Sequence, residues 1–361
     1  MSNRRNFLKN TMIASAAAPA LLASTAVAAA NNKSKKIKNW IWINPNGKDS
    51  VEDLKARYKL YKNAGISGLL FEAISEKHFV EAKLAGLEAH CWNWTMNKGN
   101  KNLLQAHPDW YAVSREGKSC AEFPPYVGYY RWLCPSKPQV QQYLSEEADQ
   151  ILAKDFIDGL HLDYIRYCDV ILPKNLWSQY KIEQRMELPQ YDFCYCNTCR
   201  EKYQAKTGKD PLTMEYPDAS LSWRLYRYES INLIVNQIAV VAKQHNKKLT
   251  AAVFPTPEVA RRIVRQDWTN WNLDGVFPMT YNKFYQEDIP WIGDAVKEGV
   301  HFLHGKFPLY AGLYLPDFNN DPQQIKAAIK VSLDNNAAGV SFFGDVNEIV
   351  LNALTAVMQT R

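Results

Sequence analysis

Apolar and polar positions along the chain fall into a repeating two-part pattern. A short run rich in β-branched and aromatic residues is followed by a longer stretch whose apolar residues recur three and four positions apart, and the pair occurs eight times. The runs occupy residues 37–44, 66–73, 87–94, 157–163, 249–255, 274–279, 308–314 and 338–344. Buried strands alternating with amphipathic helices spell βα units around a parallel sheet, and eight such units close into a barrel. The expected fold class is α/β, a single (β/α)8 TIM barrel.

Local signals agree with the period. Ser50-Val51-Glu52-Asp53 resembles a capping box, Val51, Leu54, Tyr58 and Tyr61 share one helix face, and Gly65 can end that helix. Asp321-Pro322-Gln323-Gln324 combines an N-cap acid with proline at the first helical position. Two connections are far longer than the usual few residues: about forty residues follow the third strand, and about fifty separate the fourth from a long helix starting near Ser220. Both lie on the C-terminal face, where barrel loops build substrate sites.

The first thirty residues are set apart from this pattern. Asn3-Arg4-Arg5-Asn6-Phe7-Leu8-Lys9, an Ala-rich apolar run and Ala26-Val27-Ala28 have the layout of a twin-arginine leader over residues 1–30, with one domain over 31–361. Export to the periplasm is expected, with no membrane span after cleavage. The leader holds three cations and no acid, so removing it lowers the net charge from +6 to +3. A balance that mild and dispersed does not argue for nucleic acid.

Glycosidic cleavage needs two carboxyl groups, one to protonate the leaving oxygen and one to attack or to activate water. Asp163 ends the run Leu160-His161-Leu162-Asp163 and is followed closely by Tyr164, Arg166 and Tyr167. Strand four thus delivers a carboxylate, a cation and two phenols to the barrel mouth, although an Asp163–Arg166 ion pair at the rim explains the same residues. Asp163 is expected to act as nucleophile or water-activating base, and Glu72, which follows Leu69-Leu70-Phe71 in an apolar setting, as the preferred general acid. Asp345, after strand eight, is a reserve partner. Glu258, in Pro255-Thr256-Pro257-Glu258 after strand five, is a fourth candidate at the substrate site, ranked below the others because an acid there is ordinarily a helix-dipole partner.

Flat sugar faces pack on aromatic rings. The third-strand loop supplies Trp110, Tyr111, Phe123, Tyr126, Tyr129, Tyr130 and Trp132, and strand ends add Trp42, Trp92, Trp94, Tyr281 and Tyr314. Asn44, Asn93, Asn97, His161, Arg166, Tyr167 and Asn282 could bind sugar hydroxyls. The expected partner is a carbohydrate, and no cofactor is required for catalysis.

Seven cysteines, an odd number, do not make a pure disulfide framework. Three of them stand close together as Cys194, Cys196 and Cys199, a spacing that suits a structural site. Zinc would need a fourth ligand, Cys168 or a histidine, and a disulfide competes. Gly-x-Gly-x-x-Gly, Walker and Gly-x-Ser-x-Gly sequences are absent. A noncatalytic carbohydrate-binding barrel, and a metal-dependent hydrolase or deacetylase built around His161, Asp163 and the cysteines, are the alternatives.

His107-Pro108-Asp109-Trp110, Leu133-Cys134-Pro135-Ser136, the segment 158–164, Val253-Phe254-Pro255, Gln266-Asp267-Trp268 and Phe277-Pro278-Met279-Thr280-Tyr281-Asn282 together resemble the bacterial glycosyl-hydrolase-like family related to family 10 glycosyl hydrolases. The resemblance implies a TIM barrel acting on polysaccharide, with Asp163 at the family's strand-four acid position. The chain departs from it at Tyr164, where many members carry a second acid, and in a short segment after strand two.

Overall fold

The computed structural model describes residues 37–361, so the leader expected over residues 1–30 lies outside the described residues. All eight expected strands form: β1 (Asn39–Ile43), β2 (Ile66–Phe71), β3 (Glu88–Trp94), β4 (Gly159–Asp163), β5 (Lys248–Val253), β6 (Gly275–Pro278), β7 (Tyr310–Tyr314) and β8 (Gly339–Phe343). They pair in parallel in the order β6-β5-β4-β3-β2-β1-β8-β7. Bridges from Val276 to Leu309 and from Met279 to Gly312 join β6 to β7 and close the ring.

Helices follow the strands: α1 (Val51–Asn63), α2 (Glu76–Leu84), α3 (Lys101–Ala106), α4 (Pro138–Leu152), α5 (Trp177–Tyr180), α6 (Asn197–Thr207), α7 (Leu221–Gln244), α8 (Pro257–Val264), α9 (Ile289–Leu303), α10 (Pro322–Asp334) and α11 (Glu348–Met358). Their starts obey the expected chemistry. Ser50 accepts the Asp53 N–H at the head of α1, Ser220 accepts the Trp223 N–H at α7, and Asp321 accepts the Gln323 and Gln324 N–H groups at α10. Each side-chain oxygen satisfies a donor that has no partner inside the helix. Among the described residues, no helix is long and apolar enough to cross a membrane.

The apolar residues divide into two cores. A large one lies between strands and helices. A smaller one, made by Trp40, Trp42, Leu70, Trp92, Ala252, Phe277 and Tyr310, fills the barrel itself. Large and small residues alternate there: the Trp40 ring lies so close over Gly68 that an added Cβ would come within 2.3 Å of it. His90 and His161 complete the filling, with both Nδ1 atoms turned to the Thr250 hydroxyl at 3.5 and 2.8 Å. Burial, and then the neighbouring His90, push the His161 pKa well below the usual histidine value, so the ring sits neutral inside the barrel.

Residues 95–137, between β3 and α4, and residues 164–220, between β4 and α7, are the two long connections expected from sequence. They carry α3, and α5 and α6, respectively. Their inner faces rise around the barrel mouth.

The seam between β8 and β1 is tight. Lys38 N–H donates to Ala338 O at 3.0 Å, and a Cβ on Gly339 would fall 1.7 Å from the Lys38 carbonyl oxygen. Backbone cannot yield as a side-chain tip does. Gly339→Ala should therefore destabilise the barrel by about 3 kcal/mol or prevent it from forming, read as a loss of soluble protein or a lower denaturation midpoint. Wild-type stability in that variant would refute the close approach.

Candidate active site

Asp163 is the last residue of β4, and Tyr164 after it has a left-handed backbone with φ of 49°. That conformation is costly for a residue with a side chain. It turns the Tyr164 N–H back onto Asp163 Oδ1 at 2.6 Å, while Trp92 Nε1 donates to Oδ2 at 2.9 Å. Both carboxylate oxygens are thus held, with the residue only 8 % exposed. Burial pushes the Asp163 pKa above the usual aspartate value; the Tyr164 N–H, the Trp92 indole and the Arg166 charge pull it back, and Glu72 adds to the rise. Burial prevails.

The carboxyl opens into a cavity of about 570 Å³ at the C-terminal mouth of the barrel. Trp42, Asn44, Glu72, Trp92, Trp94, Arg166 and Tyr281 line it, all of them expected from the sequence, together with the loop residues Tyr126, Tyr129 and Tyr130. Glu72, just past the end of β2, is half-buried and thus more open to solvent than Asp163. Of the two carboxyls Asp163 is the more buried, with the Trp92 indole packed against it.

Arg166 does not pair with Asp163. Its Nη1 donates to Asp169 Oδ2 at 2.8 Å and to Tyr167 O at 3.0 Å, and its guanidinium lies 4.7, 5.2 and 4.9 Å from the ring centres of Trp132, Tyr164 and Phe254. A planar cation between aromatic faces, with a buried carboxylate partner, is a rigid wall element. The Tyr164 ring packs on Trp94 at 4.7 Å, so the residue that departs from the family pattern is part of the wall.

Several expected site residues lie elsewhere. Asp345 borders a groove with Arg57 and Tyr61, between the α1 and α11 ends of the barrel, which adjoins the cavity at Asn44 and Gly344 without Asp345 lining the cavity itself. A glycine turn after β8, at Gly344, carries it past the mouth. His161 is inside the barrel, below the cavity floor, where Trp42 covers it at 4.5 Å. Tyr167 is buried away from the cavity. Asn93 turns outward to Glu147 at 3.2 Å, and Asn97 accepts the Arg131 N–H. Asn282 donates to Glu287 O within its own turn at 2.8 Å. Tyr314 packs behind Tyr281, with ring centres 5.3 Å apart, and does not line the cavity. Glu258 is exposed on the first turn of α8, the helix-dipole position. Of the third-strand loop aromatics, Tyr111 and Trp132 are core, Trp110 stacks on His107 and Phe123 points to solvent.

The sequence reading missed Asp169, Leu172, Gln179 and Tyr180 from the β4–α7 connection, and Phe254, Met279, Phe284, Tyr285 and Phe343 from strand ends. Asp169 had a local signal, three residues after Arg166. Leu172, Gln179 and Tyr180 reach the cavity because the long connection folds back over the mouth, whereas Phe254, Met279 and Phe343 stand at strand ends and Phe284 and Tyr285 on the turn after β6.

Behind this wall the sulfurs of Cys134, Cys194, Cys196 and Cys199 all lie within 4.8 Å of one another. Neither Cys168 nor a histidine joins them: Cys168 Sγ turns to the Asp169 carbonyl at 3.8 Å. The arrangement in which His161, Asp163 and the cysteines share one metal is ruled out by these positions, since the three occupy the barrel interior, the mouth and the outer loops.

No family model matches this chain, and no curated protein does either. Solved structures share its fold. The glycoside hydrolase domain of PgaB (BpsB) from Bordetella bronchiseptica aligns with a TM-score of 0.66 at 13% identity, over 89% of this chain and 99% of that one. The catalytic domain of β-amylase from Paenibacillus polymyxa gives 0.58 at 10%, over 91% and 99%. The β-galactosidase from the psychrophilic Marinomonas ef1 gives 0.56 at 10%, over 90% of this chain and 59% of that one. These likenesses show the TIM-barrel fold and do not single out family 10.

Arg166 and Asp169 form a buried pair. Arg166→Ala would leave a buried carboxylate uncompensated and should cost about 3–5 kcal/mol of stability. Urea denaturation at neutral pH reads this directly. A loss below about 1 kcal/mol, the size of a surface pair, would show that the pair is not a structural element.

Proposed function

We propose that this protein is a glycoside hydrolase that cleaves O-glycosidic bonds in a polysaccharide or oligosaccharide by two-carboxylate chemistry. The observation that carries the reading is a buried strand-end carboxyl, Asp163, facing an aromatic cavity that a second carboxyl, Glu72, also lines. The shared fold with glycoside hydrolase domains supports it. The leader expected over residues 1–30 would bring such an enzyme to polysaccharide outside the cytoplasm.

Burial decides the division of labour between the carboxyls. A proton donor must hold its proton near the working pH, and the buried Asp163 is favoured for that role. It protonates the glycosidic oxygen as the C–O bond breaks. Glu72, more open to solvent, attacks the anomeric carbon or takes a proton from the attacking water. Trp42, Trp94, Tyr129 and Tyr281 offer ring faces to the sugar, and Asn44 a hydrogen-bonding amide.

Asp163→Asn should lower turnover by about 10²–10⁴, the range for loss of a positioned acid. It should stay folded. A carboxyl whose pKa is raised in the folded state loses stability as pH rises through that value, so removing it relieves that cost at neutral pH, while the Asn amide can accept from only one of the Tyr164 and Trp92 N–H groups, a loss of about 1–3 kcal/mol that offsets the gain. A polysaccharide panel with product detection, paired with a melting curve, checks both. Full turnover in Asp163→Asn would sink the mechanism, and tight oligosaccharide binding with no turnover in wild type would favour a binding barrel.

As a proton donor, Asp163 sets the alkaline limb of kcat/KM, which falls as pH rises through its raised pKa. Trp92→Phe removes an N–H that favours the ionised form. The limb should move to higher pH by about one unit, since a hydrogen bond to a charged group is worth about 1.5 kcal/mol or more. A limb that stays in place, or moves down, would assign it to another group.

A further inference from the structure

We infer that Cys134, Cys194, Cys196 and Cys199 bind one zinc ion as a closed four-thiolate site that joins the two long loops around the cavity. The four residues are buried, and none is in a disulfide. Cys134 Sγ lies 3.5 Å from Cys196 Sγ and 3.4 Å from Cys199 Sγ. One sulfur almost equally close to two others is not the geometry of a pairwise bond about 2 Å long. It is the geometry of ligands around a common centre, because tetrahedral Zn–S bonds of about 2.3 Å set sulfurs about 3.8 Å apart.

Donors around the cluster suit thiolates better than thiols. Val113 N–H points at Cys194 Sγ at 3.4 Å. Cys196 stands at the N-cap position of α6, where the helix's positive end favours a negative ligand. The Tyr167 hydroxyl is buried without a hydrogen-bond partner, in the surroundings of Cys199, Cys134 and Cys194. A thiolate sulfur would accept a hydrogen bond from it. Four protein ligands leave no open position, so the role is structural and zinc, without redox chemistry, fits it.

The placement shows what the ion would hold. Cys134 ends the 95–137 loop that carries Tyr126, Tyr129 and Tyr130, while the other three cysteines lie in the 164–220 loop that carries Asp169 and Tyr180. A single ion would tie both cavity walls together at their base.

The test uses the full chain purified without chelator. Elemental analysis should find about one zinc per chain, and exchange for Co²⁺ should produce the thiolate-to-metal and visible bands of tetrahedral sulfur coordination. Cys134→Ser and Cys199→Ser should bind less than a tenth of the wild-type zinc, whereas Cys168→Ser should keep it all. Alkylation in denaturant with chelator and no reductant should label all seven cysteines. Zinc-free wild type, a different metal in its place, unlabelled cysteines marking disulfides, or full zinc in Cys134→Ser would each overturn the inference. If the serine variants fail to fold, the wild-type metal and thiol counts decide the question alone. None of these readouts depends on glycosidase activity.

Discussion

The filling of the barrel by aromatic side chains is the contact on which the rest of the structure depends. Trp40, Trp42, Trp92, Phe277 and Tyr310 pack inside the ring, with Trp42 and Trp92 edge to face at 4.9 Å and Phe277 and Tyr310 tilted against each other with centres 4.9 Å apart. Rings of this size need small residues opposite, and Gly68 supplies one under Trp40. The packing decides how closely strands from opposite sides of the barrel approach. It also makes the floor of the mouth, because the upper members of the stack, Trp42 and Trp92, are simultaneously core and cavity lining.

That double use ties stability to chemistry. The Trp92 indole is wedged into the core by its neighbours and has one polar atom to satisfy, and it does so on Asp163. The carboxyl is therefore held by a side chain that cannot swing away without opening the barrel. A second restraint comes from the backbone turn at Tyr164. Rigid donors on a buried carboxyl let a protein set its proton affinity by geometry, and the cost of burying it is borne by the packed aromatic interior.

Around this floor the walls are built from the two long loops. They are not loose: Arg166 is fixed among three rings and a carboxylate, Tyr126 stacks on Tyr191 at 4.1 Å, and the four cysteines gather both loops at their base. Insertions of this length need internal cross-links, since a loop that encloses a cavity cannot bury a core of its own.

The sequence by itself determined the barrel. Strand and helix periods, capping residues and the count of eight are local features, and each is legible because a strand buried on both faces and a helix buried on one leave different spacings of apolar residues. Asp163 and Glu72 were legible for the same reason, as acids at strand ends. Only the tertiary structure decided which strand-end groups share one space. His161 and Asp163 are two residues apart on one strand, yet one points into the core and the other into the mouth, because the barrel stack ends between them. Asp345 is carried past the mouth by the turn at Gly344, and Cys134, some sixty residues from the nearest cysteine of its cluster, reaches it through loop folding. Contacts between distant segments leave no period in a single chain, so the groups that share a cavity with a strand-end carboxyl and the fourth thiol of a cluster are fixed by how the loops pack, not by residues nearby in sequence.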